Sequence, residues 1–312
     1  MLRIRLAVRP TAASKFPSYG RMPALAGFFL SSRSRSLTLV AMISPFLINA
    51  QLSWRLGMRS HALRALLVLG VALLGISFLA GAFSLRQPLV VAIDMGLSGL
   101  RFLGLLLVLF WMQEAFAKDI DRHTITFALA YPASRASYVL GRYFGVLALV
   151  TWSVALWGGA LYLMNNFADW GYEESSRVVF GLGYLLVLFG IVLDLATIGA
   201  FFLFISSLSE TPMLSFMVSF GFAVATRSYG VMIDYLSLSP SADWEMKATL
   251  LPILEQLRWF LPDLSRLDWR MIVLYDHWPP TGQLFQGIAA AAGYLLLLLA
   301  AAVLSYRRRN FA

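Results

Sequence analysis

The segment Val179-FGLGYLLVLFGIVLDLATIGAFFLFI-Ser206 carries a single charged residue, Asp194, and no proline. A helix rising ~1.5 Å per residue needs ~20 apolar residues to cross a ~30 Å hydrocarbon core, so this segment is long enough to span a membrane. A helix is also the one local structure that satisfies each of its own backbone N–H and C=O groups in lipid. Five further stretches share these properties, and the predicted spans are about 63–85, 96–116, 137–164, 179–206, 213–234 and 284–306. They define an all-α polytopic membrane protein with one transmembrane domain over 46–312. The whole sequence agrees: of 312 residues 59% are hydrophobic and 13% charged, and the mean hydropathy is +0.73. A soluble domain cannot hide that much apolar surface.

A net charge of +9 raises the possibility of nucleic-acid binding, but the excess is confined to one end. Up to Arg64 there are ten basic residues (Arg3, Arg5, Arg9, Lys15, Arg21, Arg33, Arg35, Arg55, Arg59 and Arg64) and no acid, and beyond them 15 bases face 16 acids. This is the pattern of a cytoplasmic flank under the positive-inside rule. With the N-terminus inside, sixteen basic residues fall on the cytoplasmic side and six on the other, so both termini are expected in the cytoplasm. The absence of cysteine excludes disulfides, thiolate zinc sites, iron–sulfur clusters and thiol catalysis. His61, His123 and His277 are too scattered to form a recognisable metal spacing.

Residues 1–45 are acid-free and interrupted by Pro10, Pro17 and Pro23; they are expected to form a basic, disordered extension, with Met42 a plausible start. From Phe46 to Arg59, Ile48, Leu52 and Leu56 recur at helical spacing while Asn49, Gln51, Arg55 and Arg59 take other faces, which predicts an amphipathic interfacial helix. The stretch of about 235–283 is too long for a turn and holds Trp244, Trp259, Trp269, Tyr275 and Trp278. Such aromatics favour the membrane interface, and Pro252, Pro262, Pro279 and Pro280 divide the stretch into short interfacial or re-entrant helices before span 6.

The second span runs into Lys118-Asp-Ile-Asp-Arg-His-Thr-Ile-Thr-Phe-Ala-Leu-Ala-Tyr-Pro-Ala-Ser-Arg135. Lys118, Asp119, Asp121 and Arg122 form a charged turn, Ile120, Ile125, Phe127 and Leu129 supply an apolar side, and Pro132 ends the helix. A short cytoplasmic helix follows from that pattern. Its polar turn is free to press on a soluble partner.

In order and spacing these residues resemble the loop between spans 2 and 3 of ABC-2 type permeases, the membrane subunits of ATP-binding-cassette exporters. Asp119 and Asp121 fall on the family's acidic positions, Thr124 on its threonine, and Pro132, Ser134 and Arg135 on its Pro-x-Ser-Arg. Tyr138, Gly141 and Arg142 fall on the Tyr-x-x-Gly-Lys/Arg that follows, while His123 stands where the family has glycine. The resemblance extends from about residue 46 onward, through the interfacial helix, six spans and the basic end Tyr306-Arg-Arg-Arg-Asn310. It implies a coupling helix seated on a separate ATPase, with Lys118, Asp119, Asp121, Arg122, Thr124, Pro132, Ser134 and Arg135 at the contact. It also implies two ATPase copies, a second permease chain as homodimer or heterodimer, and the bacterial inner (cytoplasmic) membrane. No nucleic-acid partner and no cofactor in this chain are expected; ATP and magnesium belong to the ATPase. The sequence concurs on that point, because Lys15, Lys118 and Lys247 are its only lysines and none follows glycine, so it has no Gly-Lys-Ser/Thr phosphate loop.

Asp194 lies near the middle of its span, where a charge costs at least ~2.5 kcal/mol on insertion scales and needs a partner. Arg101, Arg142 and Arg227 are available on other spans. Asp194 with Arg101 and Arg227 is therefore either a polar site on a translocation path or a buried pair that fixes packing. The alternative function is an ion-coupled secondary transporter or channel with Asp194 as its coupling site, although the inverted repeats common in such proteins are absent from the sequence. An intramembrane enzyme lacks a catalytic constellation within the spans, and a non-transporting membrane scaffold is a further alternative.

Overall fold

The computed structural model describes residues 46–117, 135–167, 180–209, 211–238, 249–250, 252–253, 256 and 261–308, all within the unit Met42–Ala312. The predicted extension 1–45 and most of the coupling segment lie outside the described residues. In chain order the helices are α1 (46–58), α2 (His61–Phe83), α3 (Pro88–Met112), α4 (Arg135–Phe167), α5 (Leu182–Leu208), α6 (Pro212–Leu238), α7 (Arg270–Tyr275) and α8 (Thr281–Arg308). A π-helical turn, Gln113–Ala117, prolongs α3, and a 3-10 turn, Leu264–Leu267, precedes α7. Helices α2, α3, α4, α5, α6 and α8 are long and apolar enough to cross a membrane.

The spans follow the predicted ones within a few residues at most ends, but span 2 begins at Pro88, well before residue 96. Proline is suited to this first position because its missing N–H has no helical acceptor to lose. The early start places Asp94 inside the helix, where Arg270 neutralises it (N–O 2.8 Å). Ser60 caps α2 by accepting from Leu63 N at 3.2 Å, and its hydroxyl donates to Gly57 O at 2.8 Å. Trp111 Nε1 also donates to that hydroxyl at 3.3 Å, so one serine ties together α1, α2 and α3.

Lipid is as apolar as leucine, so helices associate in it through close packing and hydrogen bonds. Helices α3 and α5 form the centre, with Leu97, Leu100, Leu109, Trp111, Leu195, Ile198 and Phe202 almost wholly buried. Helix α2 instead leaves Val68, Val71, Ile76 and Leu79 exposed, as a span at the lipid boundary does. Tyr143 Oη donates to Ala196 O at 2.8 Å and Tyr184 Oη to Gly158 O at 2.6 Å, joining α4 to α5 at two levels.

Helix α1 packs along α4 through its small residues. A Cβ on Gly141 would stand 2.6 Å from Phe46 O, and one on Gly145 2.5 Å from Ala50 O, so the two glycines form a groove for the α1 backbone. The expected apolar stripe Ile48, Leu52 and Leu56 is exposed, pointing away from the protein. Both faces of the helix thus have a use: glycine groove on one side, lipid on the other.

The segment 261–275 dips into the bundle. A Cβ on Gly190, eight residues into α5, would lie 2.7 Å from Leu267 O, and one on Gly230, eight residues before the end of α6, would run into Asp263 Oδ1. Eight residues of helix correspond to ~12 Å of depth. Leu264 and Leu267 are buried there, and Asp263 caps the 3-10 turn by accepting from Ser265 N at 3.2 Å. The expected re-entrant element is thus present. Trp269, however, is buried against Gly190 instead of lying at an interface, while Trp278 is exposed and donates to Asp276 Oδ1 at 2.9 Å.

Candidate functional site

Six charged side chains meet where the re-entrant segment touches the spans. Asp194, about twelve residues into α5 and so ~18 Å from its start, is wholly buried. Its Oδ2 accepts from Arg101 Nε of α3 at 2.8 Å and from Arg227 of α6, through Nε at 3.1 Å and a terminal nitrogen at 2.7 Å. Arg101 continues to Asp268 Oδ2 at 3.1 Å and donates to Leu264 O at 3.0 Å. Arg270 forms two 2.8 Å bonds with the Asp268 carboxylate, and its third nitrogen reaches Asp94 Oδ1 at 2.8 Å and the Ser98 hydroxyl. The result is a chain of alternating sign, Arg227–Asp194–Arg101–Asp268–Arg270–Asp94, with three charges of each kind.

This balance is what a low-dielectric interior demands, since a lone buried charge is several kcal/mol costlier than a paired one. Side-chain exposure rises along the chain, from 0% at Asp194 through 25% at Asp268 and 32% at Arg270 to 48% at Asp94. The network thus runs from the sealed middle of the bundle to an open cleft of about 560 Å³ lined by Asp94, Arg101, Arg227, Asp268 and Arg270. At Asp268 burial pushes the carboxyl pKa up, but the Arg270 hydrogen bonds and the charges of Arg101 and Arg270 outweigh it and hold the group below the usual range. Arg270 is raised: burial opposes its charge, and Asp268 and Asp94 more than compensate. Asp194 Oδ1 is buried without a hydrogen-bond partner among the described residues.

Of the three arginines available to Asp194, the structure brings two to it. Arg142 instead donates to Ala115 O, at the π-helical turn, and its guanidinium lies 5.0 Å from the Tyr138 ring centroid. Arg142 therefore fastens α4 to the end of α3, Tyr138 lies beside its guanidinium within α4, and Gly141 seats α1. Lys118, Asp119, Asp121, Arg122, Thr124, Pro132 and Ser134 lie outside the described residues, and Arg135 is the first residue of α4.

Asp94, Ser98, Asp268 and Arg270 did not emerge from sequence reasoning. Asp94, Ser98 and Arg101 stand at i, i+4 and i+7, one polar stripe on an apolar helix, and that stripe was the available signal.

A family model described as ABC-2 family transporter protein matches residues 92–311. No curated protein matches the sequence. The matched region contains every member of the charge chain, the segment 118–134, α3 from residue 92 onward and the last four spans.

Proposed function

We propose, from the premise that the chain belongs to the ABC-2 family of transporter proteins, that it is the permease of an ATP-driven exporter powered by a separate ATPase. It is an integral membrane protein and a transport component. The observation that carries the finer reading is the charged segment 118–134, placed between α3 and α4 and flanked by anchored ends. Arg142 clamps the carbonyl of Ala115 on one side, and the α1 helix is wedged against Gly141 and Gly145 on the other. A push on the segment therefore reaches α1, α3 and α4 together, and α3 carries Arg101 and Asp94 of the charge chain.

In this reading Lys118, Asp119, Asp121, Arg122, Thr124, Pro132, Ser134 and Arg135 meet a cytoplasmic ATPase that binds ATP and magnesium. Two ATPases serve two permease chains in the bacterial inner membrane, with both termini in the cytoplasm. An ion-coupled mechanism through Asp194 is less well supported, because two arginines already occupy its Oδ2 and the residue is sealed from solvent.

Co-purification with the ATPase encoded beside this chain tests the proposal. Asp121→Arg and Arg122→Glu reverse charge at the docking turn without touching a span, so each is expected to reduce ATPase recovery while membrane insertion stays normal. Full recovery with both variants contradicts it.

A further inference from the structure

The charge chain has two ends, and they differ from its interior. Asp194, Arg101, Asp268 and Arg270 each contact two charges of opposite sign. Among the described residues Arg227 contacts Asp194 alone, through Nε and one terminal nitrogen directed at a single oxygen. A guanidinium has five N–H donors in a planar fork, so the other terminal nitrogen retains its capacity for an oxyanion. Asp94 meets Arg270 through Oδ1, and no described residue takes its second oxygen, in a carboxylate that is 48% exposed. A network serving packing alone has no need of unclosed ends of opposite sign.

Both ends line the same cleft. Its remaining wall includes Val231, Met271 and Tyr275, all more than half exposed, with Leu274 buried behind them. The cleft therefore offers one cationic donor, one anionic acceptor and an apolar lip, at a volume within the ~300–1,000 Å³ of small-molecule sites. The ends also differ in depth. Asp94 lies two helical turns, ~10 Å, nearer the start of α3 than Arg101, and Arg101 shares the Asp194 oxygen with Arg227. The acceptor thus sits toward the end of the bundle carrying residues 84–87, and the donor lies deeper.

We propose that this cleft binds an amphiphilic zwitterion, with its oxyanion on Arg227, its ammonium on Asp94 and its apolar portion against Val231, Met271 and Tyr275. A phosphoethanolamine headgroup in the adjoining leaflet has that polarity, phosphate toward the bilayer centre and ammonium toward water. The site deepens the transport reading, on which it rests, by giving the permease a substrate class.

The test uses the full chain in phosphatidylglycerol nanodiscs, with bound lipid read by mass spectrometry and affinity by tryptophan fluorescence. Phosphatidylethanolamine in the bilayer and a short-chain phosphoethanolamine ester added from solution are compared. The expected result is about tenfold preference for the zwitterion over phosphatidylglycerol, as one added charge-assisted contact provides. Asp94→Asn, at the open end of the chain, is expected to abolish that preference without loss of folding. Arg227→Lys keeps the Asp194 pair but loses the fork, and is expected to weaken binding of both lipids about tenfold. Response to the bilayer lipid alone identifies a leaflet source, and response to the soluble ester as well shows that the headgroup suffices; either supports the site. No preference in the unmodified protein, a preference retained in folded Asp94→Asn, or unchanged binding of both lipids by folded Arg227→Lys overturns it. ATPase co-purification is measured in parallel, and its loss counts against the docking reading and not against this cleft.

Discussion

Replacing Asp194 with asparagine strands one arginine more than the other, and the structure says which. Arg101 keeps Asp268 at 3.1 Å and the Leu264 carbonyl at 3.0 Å, whereas Arg227 loses its one acidic contact among the described residues. Removing one member of a buried pair costs about 3–5 kcal/mol, chiefly because the other is left uncompensated. The Arg227 side chain is 19% exposed, so some solvation persists and the lower part of that range, ~3 kcal/mol, applies. Arg227→Gln is milder, since Asp194 retains Arg101; losing hydrogen bonds to a charged group costs about 1.5–3 kcal/mol. The double variant has no stranded arginine. Its cost should match the worse single variant, which makes the coupling energy about 2 kcal/mol. Reversible unfolding in bicelles of the two single variants and the double measures this directly. Additivity within ~0.5 kcal/mol would refute the reasoning, because it would mean that the 2.7 Å contact carries no interaction energy.

Acid should weaken the hold of the re-entrant segment. The Asp268 pKa is lowered in the folded chain, so its stabilisation is complete above the unfolded value of about 3.9 and is lost as pH falls through the lower folded value. Thermal unfolding below about pH 4 should therefore fall more steeply for the unmodified protein than for Asp268→Asn; parallel slopes would refute this. Gly145→Leu places a side chain where Ala50 O is 2.5 Å from the Cβ position, and should force α1 off α4. Disulfide trapping between Phe46→Cys and Phe144→Cys, whose parent rings lie 5.9 Å apart, should then fail in the Gly145→Leu background and succeed without it. Tyr143→Phe removes a buried 2.8 Å hydrogen bond to Ala196 O and should cost about 1 kcal/mol in the same unfolding assay.

The spans were legible because lipid imposes a length and an apolar content that the chain cannot disguise. Pro88 was missed as a helix start because Asp94 reads as a place where lipid contact ends; its partner Arg270 is 176 residues away. The need of Asp194 for a cation was legible from the cost of an intramembrane charge, but the choice among Arg101, Arg142 and Arg227 was not. That choice depends on which way each helix is rotated, and Arg142 is turned to Ala115 O and the Tyr138 ring. The dip of the re-entrant segment was suggested by its prolines and aromatics. Its depth is set by Gly190 and Gly230, whose missing side chains matter only once the facing backbone is known. Local resemblance singles out 118–135 through the order of its residues, and all of these but Arg135 lie outside the described residues.

The absence of cysteine makes accessibility simple to measure, since a single Asp121→Cys provides the only thiol in the protein. Labelling with a membrane-impermeant maleimide in intact cells and in inverted vesicles asks whether an ATPase in the cytoplasm can reach this loop. Modification in inverted vesicles, protection in intact cells and shielding by added ATPase are the expected results. Modification of intact cells would place the segment outside, where no cytoplasmic ATPase can act on it, and would contradict the assignment of the chain as an ATP-driven permease.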